Sequence, residues 1–297
     1  MALSQTKKGI ILAGGSGTRL HPVTMGVNKH LLPVYDKPLI YYPLSVLMMT
    51  GIQDILLITT PLDVEPFQRL LGDGHRWGIS IRYVVQTAPR GLADAMIAGR
   101  EFIGNDKVAL ILGDNLFFGD SFKQAAKNAS AHQTGAFLFG YPVNDPHHYG
   151  VVELDSHHRP LAIEEKPSHP KSNYAVPGFY FYDHQIVDIA SSLEPSPRGE
   201  LEITDAHRVY LERGELHVHV LEKDVTWLDA GTPETLLEAT QYVRTTQNSR
   251  GAKIACLEEI ALNCDFITRD RFAQLAQESS NDYGDYLLHV LESLETT

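Results

Sequence analysis

The stretch Leu12-Ala13-Gly14-Gly15-Ser16-Gly17-Thr18-Arg19-Leu20 follows directly on the apolar run that opens at Gly9-Ile10-Ile11. A short Ile-rich run stopped by two glycines reads as a strand buried on both faces and ending in a turn. Gly14, Gly15 and Gly17 let the chain turn sharply and aim successive N–H groups at one oxygen-rich ligand. Ligands of open α/β sheets bind at such strand-to-loop junctions. Two common glycine loops are excluded on residue identity. A dinucleotide fingerprint begun at Gly15 requires glycine where Leu20 stands, which disfavours a nicotinamide oxidoreductase, and no Gly-Lys-Ser/Thr follows.

Working outward, Pro38 to Met49 has helical length and spacing and ends at Thr50-Gly51. Asp54 to Thr59 repeats the buried-strand pattern, Glu65 to Leu71 reads as a helix and Ile79 to Gln86 as a strand. Leu92 to Phe102 reads as a helix, and Val108 to Leu112 as a strand ending at Gly113-Asp114-Asn115. This alternation predicts an α/β, Rossmann-like doubly wound sheet. From about residue 135 strands dominate: Ala136 to Tyr141, Tyr149 to Leu154, Pro160 to Glu165 and Ala175 to Tyr182, then Glu215 to Leu221. The tail from Pro233 is mostly helical. The expected organisation is one integrated domain: a core over 1–232, divided near 134, and a helical segment over 233–297. Internal repeats and low-complexity tracts are absent from the sequence.

The chain of 297 residues carries 25 Lys+Arg against 37 Asp+Glu, a net charge of −12 that argues against nucleic-acid polymers and anionic membranes. A small anion needs only a few local cations and is not excluded. Cys256 and Cys264 form neither a CxxC motif nor a disulfide framework. With no signal-like or membrane-spanning run, a cytoplasmic setting is expected.

Gly14-Gly15-Ser16-Gly17-Thr18-Arg19-Leu20, Pro22, and Lys29 leading Leu31-Leu32-Pro33 closely resemble the opening signature of sugar-phosphate nucleotidylyltransferases. Val34 to Pro38 and Tyr41-Tyr42-Pro43 narrow the likeness to glucose-1-phosphate thymidylyltransferases. It continues through Leu71 to Gly74, Pro89 to Ala93, Leu112 to Asn115, Tyr149 to Glu153, Glu164 to Pro167 and Lys171 to Val176. Arg198 to Asp205, Trp227-Leu228-Asp229 and Cys256 to Ile260 extend it nearly end to end.

The resemblance implies a mixed sheet of the nucleotidyltransferase (GT-A-like) type with a β-rich sugar-binding part. It implies Mg²⁺-assisted in-line attack of glucose 1-phosphate on the α-phosphorus of dTTP, giving dTDP-glucose and pyrophosphate. Arg19 and Lys29 would then serve the triphosphate, and Lys166 and Arg198 the sugar phosphate. Asp114 and Asp229, each after a short apolar run, would bind the metal. Gly14, Gly15, Gly17, Thr18, His30, Gln86 and Gly91 match nucleotide-binding positions, with the Gln86 amide against the pyrimidine edge. Asn115, Tyr149, Gly150, Glu165 and Val176 match positions around the sugar. Since Glu165 and Lys166 would face opposite sides of a regular strand, a bend is expected there, consistent with Pro167. A homotetramer and a second, allosteric nucleotide-sugar site inhibited by dTDP-rhamnose also follow from the family.

Four positions depart from the pattern: His30 and Asp94 replace Gln, and Pro177 and Ala230 replace Thr. Asp94 and Ala230 read as neutral drift. His30 and Pro177 lie nearer the ligands and leave UTP, or another hexose 1-phosphate, as the alternative substrate. A catalytically silent nucleotide-sugar sensor is the alternative of a different class, opposed by the intact Arg19, Lys29, Asp114, Lys166 and Asp229. His217 and His219 would share one strand face, but with no third ligand they read as non-metal residues.

Overall fold

A computed structural model describes residues 5–15, 17–88 and 90–294. Ser16 and Pro89, both within the quoted motifs, lie outside the described residues. The first half contributes strands β1 (Lys8–Leu12), β2 (Pro33–Val34), β3 (Lys37–Pro38), β4 (Asp54–Thr59), β5 (Ser80–Val85), β6 (Val108–Leu112) and β7 (Asn115–Phe118). The second contributes β8 (Ala136–Pro142), β9 (Gly150–Leu154), β10 (Pro160–Glu165), β11 (Tyr174–Ala175), β12 (Phe179–Tyr182), β13 (Leu216–Val220) and β14 (Thr226–Asp229).

The apolar runs of the first half pair in parallel in the order β5-β4-β1-β6. Their side chains alternate between two cores, Ile10 with Leu56 and Leu110 on one face, Ile11 with Leu57 and Ile111 on the other. That two-sided burial is why the runs are continuously apolar. β12 continues the sheet antiparallel to β6, and β8, β11, β9 and β10 extend it. β13 lies parallel to β8. The sheet is therefore mixed, with its parallel half carrying the glycine loop.

Three elements differ from their sequence reading. The segment Leu92 to Phe102 is two short helices, Asp94–Ala98 and Arg100–Ile103, hinged at Gly99. Ala175 to Tyr182 is interrupted at Val176-Pro177-Gly178, where proline has no N–H for a ladder. Asn115, read with Gly113 and Asp114 as the end of the preceding strand, opens a strand of its own, Asn115–Phe118, which leaves the main sheet and pairs antiparallel with β14.

The helix Pro233–Arg250 opens with a capping box between Thr232 and Thr235, carries proline in its first turn and closes at left-handed Gly251. The later helices pack back on the core. Glu258, 4 % exposed, accepts from Trp77 Nε1 (2.9 Å) and Tyr283 Oη (2.5 Å). Gly78, at φ +69°, has room for no side chain, because a Cβ would lie 2.1 Å from the Phe266 carbonyl oxygen. Gly251 shares the left-handed conformation at φ +65° but faces open space. Gly251→Ala should therefore cost about 1–2 kcal/mol, the left-handed penalty alone. Gly78→Ala should cost clearly more, because it also separates the 266 turn from the core. Urea unfolding of the two variants checks this, and equal losses would contradict the docking described.

Candidate active site

An open cleft of about 1070 Å³ lies over the carboxyl ends of β1, β4 and β5, bordered by Gly14, Gly15, Asn28, Lys29, Gln86 and Gly91. The glycine loop earns its composition here. Gly15 (φ +102°) and Gly17 (φ +57°) both hold left-handed backbone, and Gly17 caps the turn Thr18–Leu20. Thr24 Oγ1 donates to the Gly17 carbonyl (2.7 Å) and holds the loop against the following segment. Thr18 and Arg19 are exposed beyond it.

At the ends of β6 and β14 two carboxylates lie side by side, Asp114 buried and Asp229 half-buried. The register Asn115↔Asp229 and a bond from the Ala230 N–H to the Asp114 carbonyl (3.0 Å) bring Asp114 and Asp229 together. Burial tends to raise the Asp114 carboxyl, but the Lys29 ammonium, which is hydrogen-bonded and ion-paired to it, holds it well below the usual carboxylate range. Asn115 Nδ2 donates to its other oxygen (3.0 Å). Among the described residues Asp229 Oδ1, a buried atom, has no such partner. Burial and the neighbouring Asp114 charge raise the Asp229 carboxyl to about 6, against the opposing pull of Lys29, Arg19 and Lys166. A Cβ on Gly231 would lie 2.9 Å from the Arg19 guanidinium and 3.1 Å from Asp229 Oδ1, so both side chains approach this glycine. Three of the four expected cations thus converge on one carboxylate pair.

Asn115 ties this pair to the second half of the chain. Its Oδ1 accepts from the Gly178 N–H (3.0 Å) and from Trp227 Nε1 (2.7 Å). Tyr149 packs edge-on to Trp227, with ring centroids 5.0 Å apart. Glu165 and Lys166 face the same side, Nζ to Oε1 3.5 Å, because Lys166 adopts left-handed backbone at φ +43°. The expected bend is there. Glu165 Oε2 also accepts from Thr204 Oγ1 (2.6 Å), and both approach Gly150 beside Val176. Arg198 meets Lys166 across Glu165, both cations lying against its Oε1. It bonds Glu202 (2.8 Å) and lies 3.6 Å from Glu165.

His30 departs from its expected place against the nucleotide. Its ring is 1 % exposed, bonded to Asn28 Oδ1 (2.8 Å), and it packs on the backbone of Gly113, where a Cβ would meet it at 2.6 Å. Burial, helped by the Lys29 charge, lowers it to about 3, so it is a neutral wedge beneath Lys29 and Asp114. Thr204 and Glu202 lie within a quoted motif yet were not singled out; the threonine hydroxyl beside two carboxylates was the available signal. His217 contacts His132 (ring centroids 4.3 Å), and among the described residues no group of three or more His, Cys, Asp or Glu is arranged to hold a metal.

Comparison with known proteins agrees with this geometry. The nucleotidyl transferase family model matches residues 8–246. A glucose-1-phosphate thymidylyltransferase of Neisseria meningitidis serogroup A is 56% identical over 96% of this chain and 99% of its own. The corresponding protein of Mycolicibacterium smegmatis is 52% identical over 96% and 99%. Among solved structures, a UDP-glucose pyrophosphorylase complexed with UDP-glucose superposes with a TM-score of 0.72 at 26% identity, covering 81% of this chain and 99% of that one. The chain belongs to the nucleotidyl transferase family, among its glucose-1-phosphate thymidylyltransferases.

Proposed function

We propose that the chain couples dTTP and α-D-glucose 1-phosphate to dTDP-glucose and pyrophosphate. The observation that carries this reading is the convergence of Arg19, Lys29 and Lys166 on the Asp114–Asp229 pair, at the junction of the glycine-loop cleft with the Tyr149–Glu165–Thr204 wall. Two anions must be brought together there, and charge develops on departing pyrophosphate. A glucose 1-phosphate oxygen forms the new bond to the α-phosphorus as the bond to the bridging oxygen of pyrophosphate breaks. Arg19 and Lys29 draw the triphosphate onto the loop and stabilise the leaving charge. Lys166 and Arg198 hold the sugar phosphate, while Glu165, Asn115 and the Gly150 and Val176 backbone orient the hexose. Gln86, Gly14 and Gly91 surround the base and ribose.

The carboxylate pair fits a divalent cation, which we assign as Mg²⁺, because a hard cation takes oxygen ligands and the buried Asp229 Oδ1 has no other partner among the described residues. When bound, such an ion neutralises phosphate charge and aligns the reacting groups. Asp114 and Asp229 would hold it, and Lys29 would share Asp114 with it. We further assign 1–134 to nucleotide, 135–232 to sugar, and 233–297 to assembly into a tetramer and regulation. A separate cavity of about 280 Å³, bordered by Phe118, Tyr242, Arg250, Lys253 and Glu259, supports a regulatory ligand on that side. No helix of the described residues is long and apolar enough to cross a membrane, which is in keeping with a cytoplasmic enzyme.

Pyrophosphate release should be fastest with dTTP and glucose 1-phosphate in a panel of dTTP, UTP, CTP and GTP with several sugar 1-phosphates. Silence with every pair would leave only the sensor reading, and preference for UTP would select the alternative substrate. Lys29→Met should lower kcat/KM by about 10²–10³, the loss typical for one preorganised donor to developing charge. A change under threefold would remove Lys29 from that role.

A pH effect follows from Asp229. Its carboxyl titrates near 6 in the fold against 3.8 as a free side chain, so the folded state holds the proton more tightly and loses stability as pH rises through about 6. In chelator at pH 8, Asp229→Asn should therefore melt roughly 2–4 °C above the parent, an advantage that fades below pH 4. Added Mg²⁺ should raise the parent's melting temperature more than the variant's. If the variant melts lower at pH 8 in chelator, the burial argument for Asp229 is wrong.

A further inference from the structure

Asp94 was read above as drift, yet its side chain is 8 % exposed and makes a specific contact. Gln86 Nε2 donates to Asp94 Oδ2 at 2.6 Å. Both ends of this bond are anchored. The Gln86 N–H donates to the Thr59 carbonyl (2.8 Å), which fixes Gln86 just past the end of β5. The loop before Asp94 is stapled to the chain at Leu201, whose N–H donates to the Arg90 carbonyl (2.7 Å) and whose carbonyl accepts from Ala93 (3.1 Å). Gly91 permits this approach, since a Cβ there would lie 2.4 Å from the Leu201 oxygen.

A side-chain amide can be flipped, exchanging its oxygen and nitrogen at little cost, unless its partner distinguishes them. An ionised carboxylate only accepts. Placed against Gln86 it selects the NH₂ end and repels the carbonyl end. The Gln86 Oε1 is thereby turned to the loop side of the cleft, 3.7 Å from where a Gly14 Cβ would stand. What reaches the ligand is one acceptor and, beside it, the second amide hydrogen, in an order that cannot reverse. An amide at position 94 would lack this polarity, because it can present either end to Gln86.

We propose that Asp94 is a specificity-determining positioning residue: by locking the Gln86 amide it commits the cleft to pyrimidines with an imide edge and rejects those with an amino-pyrimidine edge. The imide edge places an N3–H donor beside the O4 acceptor, which matches Oε1 beside the remaining N–H. The amino-pyrimidine edge reverses the order, with an N3 acceptor beside an N4 donor, and would require the flipped amide. This inference rests on the proposed function, with Gln86 facing the base.

The test is the ratio of kcat/KM for dTTP over dCTP with glucose 1-phosphate, measured by pyrophosphate release. Asp94→Asn preserves shape and removes the polarity, and should reduce the ratio by roughly 10- to 100-fold, mainly through gained dCTP turnover. Asp94→Glu, still only an acceptor, should keep the ratio within about threefold of the parent. A merely structural role would lower turnover with both nucleotides together and leave the ratio unchanged, and that result in Asp94→Asn overturns the proposal. Failure of the parent to release pyrophosphate with any pair would instead overturn the function on which the proposal rests.

Discussion

The structure is organised around the cost of burying two carboxylates next to each other. Like charges at that separation in a poorly solvated site repel, and each must be met by a cation, a hydrogen bond or a proton. Asp114 is satisfied within the chain by Lys29 and Asn115. Asp229 is left partly unsatisfied, and this asymmetry is the basis on which the pair is proposed as a cation site. Many local features are arranged to sustain it. Arg19 approaches over Gly231, neutral His30 fills the space below without adding charge, and Asn115 aligns Trp227 and Gly178 around the pair.

The net charge of −12 gains a clearer meaning from this arrangement. The long-range field of the protein is unfavourable for anions, so attraction has to come from cations gathered locally at the site. Even these are restrained by acidic neighbours: Lys29 by Asp114, Lys166 by Glu165, and Arg198 by Glu202. Under the proposed roles, a phosphate would compete with a carboxylate for each of them. Such competition favours ligands carrying several negative charges in a fixed geometry over isolated anions.

Much of the fold was legible because burial on both faces leaves a plain mark. The runs at Ile10, Leu56 and Leu110 are apolar at successive positions, and only parallel strands covered by helices require that. Partnership was not legible. Asn115–Phe118 follows β6 after a two-residue turn, and nothing in its own residues says that it pairs with Thr226–Asp229. The site divides the same way. Gly15, Gly17 and Lys166 were identifiable because unusual backbone or motif position marks them. The surroundings of His30 and Asp94 were not legible, because Gly113 and Gln86 meet them through tertiary packing. The Pro177 break was locally encoded, since proline interrupts a ladder, but the apolar residues on either side concealed it.

The β7–β14 ribbon has a consequence for how the protein acquires its activity. Asp114 and Asp229 come together only when strands far apart in sequence zip in register, as the Asn115–Trp227 bond, spanning 112 positions, illustrates. Closing so long a loop before any contact compensates is entropically slow, and a slip of one residue would turn every side chain of the ribbon to the wrong face. Strands β1, β4 and β5 beside the glycine loop pair across shorter separations, Lys8 with Asp54 and Asp54 with Ser80, whereas the carboxylate pair is a product of completed topology. A nascent or partly folded chain therefore has the means to attract phosphate before it has the centre at which to react it. Chemical competence is reserved for the finished molecule.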